Sequence, residues 1–458
     1  MPNYDAIIIG TGQAGPALAR RLAAANWKVA IIERKLFGGT CVNTGCTPTK
    51  TLVASAYAAH VVRRAAEYGV RVEGAVKVDM KAVKARKDAV VAPSRNGVER
   101  SLKTLEGCTV HEGHGRFVTE KKVAVNGSEL VADHIFINVG GRAAIPPIPG
   151  LDQVPYLTNS SMMDIDFLPA HLVILGGSYV GLEFAQAYRR LGSEVTVIEL
   201  APRLIPREDE DVSRAVADFL KDEGVHVRVD SKAVGVEKQG NSIAVKVESA
   251  GNISKVVGTH VLVAIGRQPN TDDLGLEKAG IATDPLVYIQ VDVHLRTNIS
   301  GIWAMGDCNG RGAFTHTSWN DFEIVAANLL ENDQRRVSDR ITAYALYTDP
   351  PLGRAGMTEA EVRKTGKPAL IATLAMEDVS RAFERSETKG FMKILVDRDS
   401  KQILGASLLG LAGDEVIHCI LDMMYAKAPY TVMQRAMHIH PTVSEFIPTM
   451  MGDLKPLQ

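Results

Sequence analysis

No run of about 18 consecutive apolar residues occurs in the chain, so no transmembrane helix is expected. The first residues, Met1-Pro2-Asn3-Tyr4-Asp5, carry no basic segment ahead of the apolar Ala6-Ile7-Ile8-Ile9, which speaks against a secretory signal. Formal net charge is −1, so there is no basic field for nucleic acid or an anionic membrane surface. Cysteine is scarce and odd in number, five in 458 residues, which argues against a secreted disulfide framework. These absences point to a cytoplasmic protein, where an isolated disulfide is more often catalytic than structural. Hydrophobic and charged contents of 46% and 23% are those of a globular chain, and the length suggests about three domains.

Two of the five cysteines stand together in Gly39-Thr40-Cys41-Val42-Asn43-Thr44-Gly45-Cys46-Thr47-Pro48-Thr49-Lys50. A cross-link between them closes a very small loop and gains little chain entropy, so a purely structural role is poorly rewarded. In a regular helix, residues five apart lie roughly 8–9 Å from one another. An unstrained disulfide spans about 4.4–6.8 Å between Cα atoms. A disulfide therefore requires Cys41 in an irregular or tightened turn, with regular helix beginning near Pro48. Proline is tolerated in a first helical turn, and a helix N-terminus depresses a thiol pKa. The local chemistry suggests a reactive, reversible dithiol; two unrelated buried thiols remain the alternative.

Residues 5–10 read as a buried strand, followed by Gly10-Thr11-Gly12-Gln13-Ala14-Gly15 and a small-residue helix over 16–25. A second strand over 28–32 ends at Glu33, 23 residues after Gly10. This is the order of a dinucleotide-binding βαβ unit. Gly10 makes the tight turn, Gly12 admits the pyrophosphate to the backbone, Gly15 allows close helix–strand packing and Glu33 accepts from the ribose hydroxyls. The pattern recurs: a strand over 171–175, Gly176-Gly177-Ser178-Tyr179-Val180-Gly181, a helix over 182–191, and a strand over 194–198 ending at Glu199, again 23 residues on. Two such units imply two dinucleotides side by side, as electron transfer between cofactors requires. In the second unit Ser178 replaces the middle glycine and sets a hydroxymethyl group toward the pyrophosphate. Glu199 favours the free 2′-hydroxyl of NADH over the 2′-phosphate of NADPH. Arg203 and Arg207 read as a solvated surface loop.

Between the units, helices are expected over 51–70 and 81–104, then short strands over 109–117, 122–125 and 134–139. Gly140-Gly141 with the proline-rich 145–150, and later Gly266-Arg267-Gln268-Pro269-Asn270, look like domain crossovers. Residues 302–308 read as a strand ending in an acid, Asp307, and a helix is expected over 319–330. Six methionines between 423 and 451 suggest packing or a dimer contact more than a metal box. Near the end, His440 with Glu445 five residues on, beside Pro441, can present an oriented imidazole as general acid–base; a structural ion pair is the commoner use of such a pair.

Taken together, these motifs resemble the flavin-dependent pyridine-nucleotide disulfide reductases, the family of dihydrolipoyl dehydrogenase, glutathione reductase and mercuric reductase. The resemblance covers essentially the whole chain. It implies an α/β fold with an α+β C-terminal part: an FAD-binding Rossmann-like domain over 1–146 completed by 265–336, an NAD(P)-binding domain over 147–264, and an interface domain over 337–458. It implies FAD on the first unit, held by Gly10, Gly12, Gly15, Glu33, Thr40, Gly115, Gly140 and Asp307, with Lys50 beside the flavin ring and paired to Glu183. NAD(P)H, with NADH preferred, is implied on the second, lined by Gly176, Gly177, Ser178, Gly181, Glu199, Ala233 and Gly266.

Carried over in the same way, Cys46 faces the flavin, Cys41 attacks substrate, and His440 with Glu445 serves the active site of the other subunit of a homodimer. Val139 departs from the usual threonine before Gly140. Cys308 is expected to be a small buried residue, and Cys108 and Cys419 carry no motif. Residues 181–188, 378–382 and 387–393 are similar to the mercuric-reductase-like branch. Residues 344–357 and 404–408 look like a bacterial subgroup induced by reactive chlorine species, which reduces small oxidants such as hypothiocyanous acid. The chain lacks a C-terminal cysteine pair and an accessory Cys-x-x-Cys domain, and it keeps His440, features that weaken a mercuric-reductase assignment. The expected activity is NAD(P)H-dependent reduction of a small disulfide or oxidised sulfur species. Dihydrolipoyl dehydrogenase and Hg(II) or Cu(II) reduction are the alternatives, and a flavin-binding scaffold without turnover is a further one. No metal site, nucleic-acid partner or membrane partner is expected.

Overall fold

A computed structural model describes residues 3–457. Its first sheet is built around the strand Asn3–Ile9, whose alternating side chains serve two cores. Ala6 and Ile8 face Leu18 and Leu22 of the helix Ala14–Ala24, while Ile7 and Ile9 join Val123, Ile135 and Ile302 on the other face. That period of two is what a strand covered on both faces requires. Seven strands make up this sheet, in the order Cys108–Glu112, Val29–Glu33, Asn3–Ile9, Ser128–Ile137, Lys122–Val125 and Arg116–Thr119, with Ile302–Ala304 parallel to Ser128–Ile137. The expected strand over 109–117 is two strands. Gly113 at φ +156° donates its N–H to Glu33 O and turns the chain between them.

The second βαβ unit repeats the first. Val225–Arg228, Glu194–Ile198, His171–Leu175, His260–Val263 and Tyr156–Leu157 form a five-stranded parallel sheet. An antiparallel meander, Lys232–Gln239, Ser242–Ser249 and Asn252–Gly258, packs beside it. The two crossovers seen in the sequence pair with each other, Gly141–Ala143 antiparallel to Arg267–Pro269. Beyond residue 340 a six-stranded antiparallel sheet is covered by the helix Gly413–Tyr425.

Helix ends differ from the expectations by about a turn or less, except that the helix expected over 51–70 begins at Cys46 and stops at Arg63. It passes into a short 3-10 turn, Ala65–Tyr68, closed by Gly69 at φ +74°. Met433, Met450 and Met451 are buried in the C-terminal core and Met423 and Met424 flank it, whereas Met437 is fully exposed. The solvated-loop reading fails for Arg203. Its guanidinium folds back to donate to Pro206 O and Glu208 O, because the loop buries Leu204 and Ile205 beneath it. Arg207 is exposed, as expected. Among the described residues no helix is long and apolar enough to cross a membrane.

Candidate active site

The two nucleotide loops have the same construction. Gly10 and Gly176 adopt φ +107° and +112°, a region that L side chains rarely enter. A Cβ on Gly15 would lie 2.2 Å from Gly10 O, and one on Gly181 would lie 2.1 Å from Gly176 O. Only glycine permits these approaches of helix to strand. Each loop is then fastened to the acid ending the next strand: Thr11 N–H donates to Glu33 Oε2 at 3.0 Å, and Gly177 N–H to Glu199 Oε2 at 2.5 Å. Ser178 has φ −108° and ψ −175°, an extended conformation open to any residue, so the missing middle glycine costs the backbone nothing. The essential small residue beside it is Gly177, where a Cβ would meet Leu204 Cδ2 at 2.5 Å.

The dithiol is pressed against the first loop. A Cβ on Gly39 would fall 2.9 Å from Gly12 Cα, so the short helix Gly39–Asn43 lies directly on the fingerprint turn. Cys41 sits in this single helical turn. The chain breaks at Thr44 and Gly45, and Cys46 opens the helix Cys46–Arg63, two residues earlier than expected. Both cysteines are free thiols, Cys41 half-buried and Cys46 exposed.

A hydrogen bond from Cys41 to Cys46 leads the forces that lower the Cys46 pKa to about 6; a hydrogen bond with Thr315 and the charge of Lys50 add to it. The same contact, with burial and the adjacent negative charge, drives Cys41 well above the ordinary thiol range. The pair therefore stores one thiolate, on Cys46, at the N-terminus of an 18-residue helix whose dipole favours it. Thr315 Oγ1 lies 3.0 Å from Cys46 Sγ across 269 positions.

Lys50, one turn into that helix, places Nζ 2.6 Å from Glu183 Oε2. Glu183 is 6% exposed and Lys50 35%. The other Glu183 oxygen accepts Tyr347 N–H at 3.1 Å, and the Tyr347 ring centroid lies 4.4 Å from Lys50 Nζ. Thr315 and Tyr347 escaped the sequence reading as site residues because their partners lie far away in the chain; Thr315 sits in no motif, and Tyr347 falls in the stretch 344–357, which carries a resemblance but no stated role.

Around the first loop, Asn138 accepts Gly15 N–H at 3.1 Å and donates to Met305 O at 2.9 Å, tying the fingerprint helix to the segment that carries Asp307. Asp307, in the 3-10 turn Gly306–Asn309, accepts from Arg267 Nε at 3.3 Å. Thr40 lies in the dithiol turn, and Gly115 packs on Ile32, where a Cβ would meet Cδ1 at 3.1 Å. Gly140 and Gly266 both have positive φ, and a Cβ on either would meet nothing within 4 Å. These two loops thus border open space beside the paired crossovers. A glycine cradle, a carboxylate at each strand end and open crossover loops fit two dinucleotides. Ala233 differs from the rest, because its side chain packs into the apolar cluster of the meander.

His440 and Glu445 lie apart from this group. Both carboxylate oxygens of Glu445 are 3.0 Å from His440 Nδ1, and Thr442 N–H donates to Oε1 at 3.2 Å. The imidazole is 72% exposed while Glu445 is 16% exposed, so Nε2 is free to act on a group outside its own chain. No hydrogen bond joins His440 to the dithiol among the described residues. Cys308 is fully buried, as expected.

The sequence matches the pyridine nucleotide-disulphide oxidoreductase family over residues 4–321 and that family's dimerisation domain over 342–451. The chain belongs to the pyridine nucleotide-disulphide oxidoreductases, FAD-dependent enzymes that use a pyridine nucleotide. It is 36% identical to the Escherichia coli K12 protein named "Probable pyridine nucleotide-disulfide oxidoreductase RclA", over 97% of this chain and 98% of that one. It is 33% identical to a mercuric reductase of Streptomyces lividans, over 97% and 94% of the two chains. The solved structure of the HOCl-induced flavoprotein disulfide reductase RclA from Escherichia coli superposes with a TM-score of 0.90, at 35% identity, covering 99% of this chain and 100% of that one. The chain is a flavoprotein disulfide reductase that resembles RclA, with the family's dimerisation domain.

Proposed function

We propose that the protein is an NADH-preferring reductase of a small disulfide or oxidised sulfur species such as hypothiocyanous acid. It would work as a homodimer through the Cys41–Cys46 pair. The observation that carries this reading is the placement of the two cysteines, Cys41 in the short helix that lies on the first fingerprint turn and Cys46 opening the next helix, hydrogen-bonded to Thr315 and one turn before Lys50. In this reading the FAD domain spans 1–146 and 265–336, the nucleotide domain 147–264 and the interface domain 337–458.

FAD would lie on Gly10, Gly12, Gly15, Glu33, Thr40, Gly115, Gly140 and Asp307, with Lys50 beside it. NADH would lie on Gly176, Gly177, Ser178, Gly181, Glu199, Gly266 and the backbone of Ala233. When bound, FAD supplies the two-electron exchange between the nicotinamide and the dithiol. The chain's own residues do the rest. The Cys41 proton passes to His440 of the partner subunit, whose imidazole Glu445 orients. The Cys41 thiolate attacks one sulfur of a disulfide RSSR′, forming a Cys41–SR bond and releasing R′S⁻, which takes the proton back. The Cys46 thiolate then attacks Cys41 Sγ, breaking the Cys41–SR bond and expelling RS⁻. The pair has become a disulfide and the substrate one thiol and one thiolate, RS⁻, which takes its proton from solvent.

A second reading, metal-ion reduction at the same thiols, is supported by the solved Cu(II) complex of the similar RclA. Steady-state NADH oxidation with disulfides, hypothiocyanous acid, Cu(II) and Hg(II), beside dihydrolipoamide with NAD, separates the readings. A rate confined to dihydrolipoamide with NAD would replace both with a dihydrolipoyl dehydrogenase.

A further inference from the structure

Three parts of the fold meet at one ammonium group. Lys50 comes from the dithiol helix, Glu183 from the helix Tyr179–Leu191 of the second nucleotide unit, and Tyr347 from the end of the strand Ala343–Leu346. Glu183 uses one oxygen for Lys50 Nζ and the other for Tyr347 N–H. The Tyr347 ring lies 4.4 Å from the ammonium and shares it with the carboxylate. A lysine that is one-third exposed ordinarily samples many rotamers, and holding it between a carboxylate and an aromatic face removes them. Nothing in the proposed reaction uses Tyr347.

We infer that Tyr347 is a positioning residue: its ring face fixes the Lys50 ammonium and its N–H fixes Glu183, so that the positive charge reaches the dithiol from one place. The inference rests on the proposed reading that Lys50 serves this site. The groups facing Tyr347 are Lys50 and Glu183, Cys46, and Asp414 and Glu415 at the start of the helix Gly413–Tyr425. Burial and those negative charges push the phenol up, which keeps the ring neutral. Its effect on Lys50 is therefore that of a π face, which phenylalanine also has and leucine lacks.

The test is the rate at which iodoacetamide alkylates Cys46 in the FAD-loaded protein carrying Cys41→Ser, alone and with Tyr347→Phe, Tyr347→Leu or Lys50→Met. It is read at about pH 5, where the rate follows the thiolate fraction. Tyr347→Phe is expected to match the Cys41→Ser protein. Tyr347→Leu is expected to slow alkylation about threefold, the size of a partly exposed cation–π contact, and Lys50→Met to slow it further. If Tyr347→Leu loses FAD, Tyr347→Met serves in its place. A rate unchanged by Tyr347→Leu but slowed by Lys50→Met overturns the inference and leaves the role of Lys50 standing. A rate unchanged by Lys50→Met overturns both. Equal slowing by Tyr347→Phe and Tyr347→Leu also overturns it, since the hydroxyl would then carry the effect.

Discussion

Lys50 Nζ and Glu183 Oε2 lie 2.6 Å apart although 133 positions separate them in the chain. This ion pair spans the two nucleotide units, one end on the dithiol helix and the other on the helix of the second fingerprint. The place where two dinucleotides would meet is thus pinned by a nearly buried carboxylate.

The thiol acidities set a pH profile. Cys46 has a pKa of about 6, lowered by its hydrogen bond from Cys41, by Thr315 and by Lys50. Its thiolate is present above that value and is lost as pH falls through it. Alkylation of the reduced protein at Cys46, followed by peptide mass spectrometry, is expected to rise to a plateau with a midpoint near 6, while Cys41 stays unmodified. Replacing Thr315 by Val removes one lowering contact, and the Cys46 midpoint is expected to move up.

Single methyl groups distinguish the two nucleotide units. Gly15→Ala places a Cβ against Gly10 O, and Gly181→Ala does the same against Gly176 O. Each clash is with backbone, so relief requires the helix to move, at about 1–3 kcal/mol. Gly15→Ala is expected to purify largely without FAD, read from flavin absorbance against protein absorbance. Gly181→Ala is expected to keep FAD and to lose NADH affinity at least tenfold, read as KM.

Glu199 holds its loop through Gly177 and Ala201 while presenting a carboxylate at the strand end. Glu199→Gln keeps an acceptor oxygen for one of those two N–H groups, gives up the other bond, and removes the charge that repels a 2′-phosphate. The NADPH-to-NADH ratio of kcat/KM is expected to rise about tenfold, roughly 1.4 kcal/mol.

If His440 acts across the dimer, the dyad and the dithiol complement each other. His440→Gln is expected to slow disulfide turnover roughly 10²–10⁴-fold. Reduction of FAD by NADH should hold. A mixed dimer of one Cys41→Ser subunit and one His440→Gln subunit has one site with both defects and one with neither. About half the parent activity should return, whereas a dyad acting within its own chain would leave almost none.

The sequence carried most of the fold because the βαβ units are local. Strand, glycine loop, helix and acid follow one another within 29 residues, 5–33 and 171–199, and each is legible from spacing alone. The crossovers were visible for the same reason, as glycine and proline breaks. What was illegible is long-range or conformational. Gly113 divides one apparent strand because its backbone turns there at φ +156°, which leaves no periodic mark in the sequence. Arg203 looked solvated because the burial of Leu204 and Ile205, which folds the loop over, leaves no periodic mark. Thr315 and Tyr347 bear on the thiolate and on Lys50 only through packing between distant segments.

The central claim is that electrons leave through the Cys41–Cys46 dithiol. The most direct measurement is NADH oxidation by Cys41→Ser with hypothiocyanous acid or a small disulfide, beside a quinone acceptor that takes electrons from the flavin. Loss of roughly 10³-fold or more with the sulfur substrates is expected, with quinone reduction kept within a few-fold. Full turnover of the sulfur substrates by Cys41→Ser would contradict it.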